Sequence, residues 1–183
     1  MRKGLSAATC LAMFLAQAQA EEIVPLAGCY ERIYDAAWLK AHSGQIISRV
    51  TLSVQKTSVP QTPGEKQHIV ADAFLAMWSG KNSFGSIGAC YWEKVGLICN
   101  AALSAQETDA CKSKADGVRT CRIAFDDAGS FELAQKPEGL LLTVHERLEL
   151  PGPEDRAEYL YLSPSNAENH AFLLQPVPEA RCK

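Results

Sequence analysis

From residue 46 onward, apolar and polar residues alternate with period two, and little of the chain follows a helical period. In 46–56, Ile46, Val50, Leu52 and Val54 share one face while Arg49, Thr51, Ser53 and Gln55 share the other, which is a half-buried strand. Ile69, Ala71, Ala73, Leu75 and Met77 repeat the pattern, and Ser79-Gly80-Lys81-Asn82 supplies a turn. Further strands are expected at 84–92, 121–125, 131–134, 140–150, 158–162 and 171–175, separated by turns such as Asp127-Ala128-Gly129 and Lys136-Pro137-Glu138-Gly139. About eight strands joined by short turns predict a mainly β domain, an antiparallel meander that closes into a barrel, with a β-sandwich as the alternative. Closure removes the edges that would invite aggregation.

Two segments leave the strand pattern. Asp35 precedes Ala-Ala-Trp-Leu-Lys-Ala and is placed to cap a short helix ending near Gly44. The polar, Ala-rich stretch 101–114 reads as a helical turn or long loop.

The N-terminus has the three parts of a secretory signal. Arg2 and Lys3 precede an apolar run from Leu5 to Ala16, and Ala18-Gln19-Ala20 fits the small-x-small cleavage rule. The run is too short for a membrane-spanning helix, which needs about 20 residues. Residues 1–20 are thus read as a signal peptide and 21–183 as one disulfide-stabilised domain, in the periplasm or secreted. Leu26-Ala27-Gly28-Cys29 reproduces a lipobox, which makes a lipoprotein anchored at Cys29 the minor alternative. Glu21, Glu22 and Pro25 intervene between that box and the apolar run, however, and a lipobox should follow the run directly.

Cysteine parity agrees. The chain has seven; Cys10 leaves with the signal, and Cys29, Cys90, Cys99, Cys111, Cys121 and Cys182 form an even set. In an oxidising compartment such a set becomes disulfides. In a closed meander the first and last strands are neighbours, so Cys29 pairs naturally with Cys182. A two-residue loop at Lys94-Val95 sets Cys90 opposite Cys99 as a non-hydrogen-bonded pair, with Cys111 and Cys121 left for each other. The rival is a three-residue loop with Gly96 in the left-handed region, which shifts the register by one and sends Cys90 and Cys99 to opposite faces.

Little catalytic chemistry is visible. The closest cysteine spacings are too wide for a local zinc site, so no metal and no cofactor is expected. His42, His68, His145 and His170 show no i,i+2 or i,i+4 pairing. Ser53-Val54-Gln55-Lys56 matches S-x-x-K, but in a strand the spacing of three puts Ser53 and Lys56 on opposite faces. The formal charge of −3 becomes −5 when Arg2 and Lys3 are lost, without blocks of either sign, so nucleic acid is not an expected partner. Aromatic residues are the stronger signal: Tyr30, Tyr34 and Trp38 recur at spacing four with His42 following, and Tyr91-Trp92 flank the cysteine hairpin. Core packing is the plain explanation for these six, and a ligand pocket or binding rim the functional one.

The block Cys29-Tyr30-Glu31-Arg32-Ile33-Tyr34-Asp35, with Leu39, His42 and Gln45 after it, resembles a group of uncharacterised exported, Cys-rich proteins of alphaproteobacteria that open with C-Y-E-R-x-Y-D and an H-P-x-Q-like element. The Cys90 and Cys99 hairpin and the Arg181-Cys182 end look similar too, while Ser43 stands where that group has proline. The resemblance implies a bacterial periplasmic or secreted location and carries no activity. Gly28-Cys29-Tyr30 is also similar, over three residues, to the G-x-W opening of lipocalins. The expected function is a binding protein whose partner is a small apolar ligand, an envelope component, or a protein that it inhibits. One alternative is an envelope enzyme using dispersed groups such as His42, Glu31 and Arg32. The other is a structural part of an envelope assembly, marked by a large exposed apolar patch.

Overall fold

The computed structural model describes residues 26–57, 67–94, 96–102, 128–153 and 158–182. The expected signal peptide, the strand at 121–125, most of the 101–114 segment, Cys111 and Cys121 lie outside the described residues.

The chain forms β1 (Gly28–Ile33), α1 (Ala36–Ala41), β2 (Ile47–Lys56), β3 (Ala71–Ser79), β4 (Asn82–Glu93), β5 (Gly96–Ala101), β6 (Ser130–Lys136), β7 (Gly139–Val144), β8 (Leu148–Pro151), β9 (Tyr159–Leu162) and β10 (Ala171–Val177), ending in a 3-10 turn, Glu179–Cys182. Eight of the strands close into an antiparallel barrel in the order β1-β10-β7-β6-β5-β4-β3-β2. This is an up-and-down meander with one excursion, because among the described strands β8 and β9 pair only with each other between β7 and β10.

The alternation read from the sequence becomes the inside and outside of this barrel. Paired positions Val50↔Met77, Leu52↔Leu75 and Val54↔Ala73 carry the inward row from β2 to β3. Leu97↔Leu133, Leu133↔Leu142 and Leu142↔Phe172 continue it through β5, β6, β7 and β10. All belong to one buried apolar cluster, so the interior is filled by side chains. An eight-stranded barrel is just wide enough for that.

Two features depart from the simple pattern. A register shift between Ile47 and Arg49 interrupts the β2 alternation, so Ile47 is fully buried while Ile46 is exposed. A bulge has this effect because it adds a residue without a partner. The expected single strand at 140–150 is two strands, β7 and β8, separated by His145-Glu146-Arg147. Val144, Leu148 and Leu150 keep the same parity and are all buried, so the alternation runs across the break unchanged. β8 and β9 turn Leu148, Leu150, Leu160 and Leu162 into the main core at one end of the barrel.

That end also receives α1, and we call it the helix end. Asp35 caps α1 as expected, its carboxylate accepting from the Trp38 backbone N–H at 2.7 Å. The opposite end carries the β4–β5 hairpin and the C-terminal 3-10 turn.

Both described disulfides take positions that the meander makes available. Cys29 is bridged to Cys182, joining the first strand to the turn after the last. Cys90 is bridged to Cys99 in the register of the two-residue loop, with Glu93↔Gly96, Trp92↔Leu97 and Tyr91↔Ile98 facing each other. Lys94 at φ 55° takes the positive-φ position of that loop. The Cys90–Cys99 bridge points inward and is fully buried, where Gly88 leaves it room: a Cβ there would stand 3.0 Å from Cys99 Cβ and 3.0 Å from Phe131 Cζ.

Candidate functional site

The six aromatic and histidine positions singled out in the sequence do not form one site. Tyr30 lies on the inward face of β1, and its buried hydroxyl donates to the Leu26 carbonyl at 3.2 Å. Burial pushes its phenol above the usual range. Tyr91 lies on the outer face of β4 against a small cluster of Ile69, Ile87, Ala89 and Ala102. Trp92 packs against the main core at the hairpin end, where its indole N–H is buried without a partner among the described residues.

The other three converge at the helix end. The Trp38 indole stacks on the His42 imidazole, with centroids 4.0 Å apart and planes at 10°. Tyr34 lies 5.7 Å from Trp38 on a tilted plane. Arg32, at the mouth of the barrel, sets its guanidinium 4.9 Å from the Tyr34 ring centroid and 5.8 Å from that of Trp38. Such cation–ring contacts contribute on the order of 0.5–1 kcal/mol at exposed sites. Burial raises the Tyr34 hydroxyl above the usual phenol range, with the charge of Arg32 and its hydrogen bond opposing. The His42 Nδ1–H donates to the Trp38 carbonyl at 2.9 Å, leaving Nε2 as the free ring nitrogen.

Asn169 holds this end together, and nothing in the sequence pattern marks it, because its partners are mostly backbone groups. It is fully buried, and its Oδ1 accepts from Ile46 N–H at 3.0 Å, Ile47 N–H at 3.3 Å and Gln45 Nε2 at 3.1 Å. Its Nδ2 donates to the Gly44 carbonyl at 2.7 Å. A buried amide so engaged ties the segment after α1 to the loop before β10, and with it the placement of Trp38 and His42.

Of the groups named for the enzymatic alternative, Arg32 and His42 both flank Trp38, while Glu31 is engaged elsewhere. Glu31 faces outward on β1, where Arg49 Nη2 approaches one oxygen at 2.7 Å and Arg181 Nη2 the other at 2.7 Å. Burial would raise this carboxyl, but the hydrogen bonds and charges of Arg181 and Arg49 outweigh it and hold it below the usual carboxylate range. Arg32 is on the opposite face of the strand, and Asp35 is occupied in capping α1. Among the described residues no group of three His, Cys, Asp or Glu side chains is placed to hold a metal ion, and no helix is long and apolar enough to cross a membrane. A cleft of about 500 Å³ lies at the other end of the barrel, lined by Gly28, Ser53, Gln55, Glu179 and the Cys29–Cys182 bridge among others.

The exposed apolar groups are distributed unevenly. Ile33 is 54% exposed, Trp38 41%, Ile46 46%, Tyr159 41% and Tyr161 51%. Among the described residues these are the large hydrophobic side chains left to solvent, and all five lie at the helix end. Arg147 stands 4.6 Å over the Tyr161 ring, a second arginine–aromatic pair at the same end. No protein-family model matches the chain, and neither a curated protein nor a solved structure matches it.

Proposed function

We propose that the protein is exported, to the periplasm or the medium, and acts as a binding protein that engages another protein through the helix end of its barrel. The observation that carries this reading is the gathering of Ile33, Trp38, Ile46, Tyr159 and Tyr161 at one end, beside Arg32 and Arg147. Aromatic residues and arginine are the types that contribute most at protein interfaces, the aromatic rings because they bury much surface at a small entropic cost. Large apolar side chains left exposed at one end of an otherwise well-buried barrel, Ile33, Trp38 and Ile46 beside α1 and Tyr159 and Tyr161 on β9, support such a surface. The filled interior favours a protein partner over a small apolar ligand held inside. Glu31 is taken up by Arg49 and Arg181 and Asp35 by the cap of α1, which leaves His42 without a shown carboxylate partner among the described residues and favours binding over catalysis. The two bridges, at Cys29–Cys182 and Cys90–Cys99, suit the oxidising compartment that export would reach.

Site-specific photo-cross-linking in the exporting cell tests the reading. A photoreactive residue at Lys40, on α1, is expected to give a discrete protein adduct that Trp38→Ala and Arg32→Ala weaken at least tenfold. The same probe at Lys136, at the opposite end, is expected to give none. Adducts at Lys136 alone, or an adduct at Lys40 indifferent to both substitutions, would overturn the assignment of this end.

A further inference from the structure

Among the described residues, β9 has one partnered edge and one open edge. Gly152 N–H donates to the Glu158 carbonyl at 2.8 Å, so residues 152 and 158 form a hydrogen-bonded pair, and alternation along the register gives Leu150↔Leu160 and Leu148↔Leu162 as the next such pairs. Pro151↔Tyr159 and Glu149↔Tyr161 are then the non-hydrogen-bonded pairs, whose backbone groups point away from each other. On the β8 side this direction is used: Glu149 N–H donates to the Ala128 carbonyl at 2.9 Å. On the β9 side, the N–H and C=O groups of Tyr159 and Tyr161 face outward, and among the described residues β9 pairs with no strand but β8.

Edge strands are usually blunted by charge, proline, a bulge or a covering segment. β9 reads Tyr-Leu-Tyr-Leu and has none of the first three, and both tyrosines are exposed. The strand is also complementary to itself. About a two-fold axis through Leu160, Tyr159 of one copy faces Tyr161 of the other. Those facing pairs are hydrogen-bonded pairs, since it is the tyrosines that carry the outward backbone groups. Leu160 then faces Leu160 as a non-hydrogen-bonded pair and keeps its own bonds to β8. Four backbone hydrogen bonds form, no like charges meet within the four residues, and the tyrosines, whose rings already stack 6.2 Å apart within one chain, extend into a cross-strand row.

We propose that β9 is a self-association edge, through which two copies of this chain pair antiparallel to make one four-stranded sheet, β8-β9-β9-β8. The interface is isologous, as a two-fold dimer requires. It stands on the β9 edge and does not depend on the reading of α1 and Arg32 above.

Sedimentation velocity on the mature, disulfide-intact protein, with concentration raised to about 1 mM, tests it, since a dimer weaker than that would not be populated. The expected result is a concentration-dependent shift from one chain to two. Tyr161→Pro removes an outward N–H while leaving the bonds of Leu160 and Leu162 to β8, and is expected to weaken the dimer at least tenfold with an unchanged circular dichroism spectrum. If that variant fails to fold, the double substitution Tyr159→Lys and Tyr161→Lys places lysines opposite lysines across the axis and is expected to do the same. A chain that stays single at 1 mM, or a dimer that survives the substitution that folds, would overturn the proposal. Protection of the Tyr159 and Tyr161 amides by a different protein, with no dimer, would also overturn it.

Discussion

Cys29 and Cys182 are 153 positions apart in the sequence, yet their Cα atoms lie 6.0 Å apart across a disulfide. The bridge sits at the closing seam of the barrel, where β1 meets β10, and fastens the 3-10 turn against the outside of β1 and β2. A cross-link over so long a loop acts largely by restricting the unfolded chain and contributes on the order of 2–4 kcal/mol. Replacing both residues with serine is expected to lower the thermal midpoint by about 5–15 °C at this chain size. Differential scanning calorimetry at neutral pH measures it, and a change within about 2 °C, the worth of a single kcal/mol or less, would contradict this role for the clasp.

Arg181, the neighbour of Cys182, reaches Glu31 together with Arg49, and this gives the seam a pH dependence. Because the folded carboxyl is held below its ordinary value, the ion pairs contribute stability that is present above the unfolded-state value of about 4.3 and is lost as pH falls through the lower folded one. Glu31→Gln is expected to cost about 1–3 kcal/mol at pH 7, the range of a charge-assisted hydrogen bond. Below about pH 4 the gap between variant and parent should narrow as the parent loses the same contribution. Denaturant titrations at several pH values check this, and a gap that widens on acidification would reverse the sign.

Gly88 and the buried Cys90–Cys99 bridge are coupled through space, because a Cβ at residue 88 would press on both Cys99 and Phe131. Gly88→Ala is expected to destabilise by about 1–3 kcal/mol, as overpacking does in a filled core. With Phe131 replaced by leucine, which lacks the ring atoms that a Cβ at residue 88 would meet, the cost of Gly88→Ala should fall by at least about 0.5 kcal/mol, the usual lower bound for residues in contact. Additive costs in a double-mutant cycle would mean that the glycine does not make room for the Phe131 ring.

Much of this architecture is legible in the chain. The period-two rows from Val50 to Leu174 mark the strands and their inward faces, and Asp35 ahead of an Ala-rich hexapeptide marks α1. The Lys94-Val95 loop gives one of the two registers that were open for Cys90 and Cys99, and local sequence does not choose between them. What stays hidden has physical causes. The break after Val144 preserves parity, so a strand that leaves the barrel at β8 looks like one that continues. The spacing of Tyr30, Tyr34 and Trp38 looks like one helical face, but a strand and a helix divide it, so Tyr30 enters the core while the other two reach the rim. Tyr91-Trp92 are adjacent, and in a strand adjacent residues point to opposite sides. Asn169 carries no periodic signal, since it recognises mainly main-chain groups.

The barrel is proposed to work by its surface at the helix end, with its interior filled by its own side chains. Native mass spectrometry of the protein released gently from the exporting cell is the test. The expected result is chains without a small molecule, alone, paired with a second copy or carrying a different protein, with the different-protein adduct lost in the Trp38→Ala variant. A small-molecule adduct that survives gentle release and is unaffected by Trp38→Ala would contradict it.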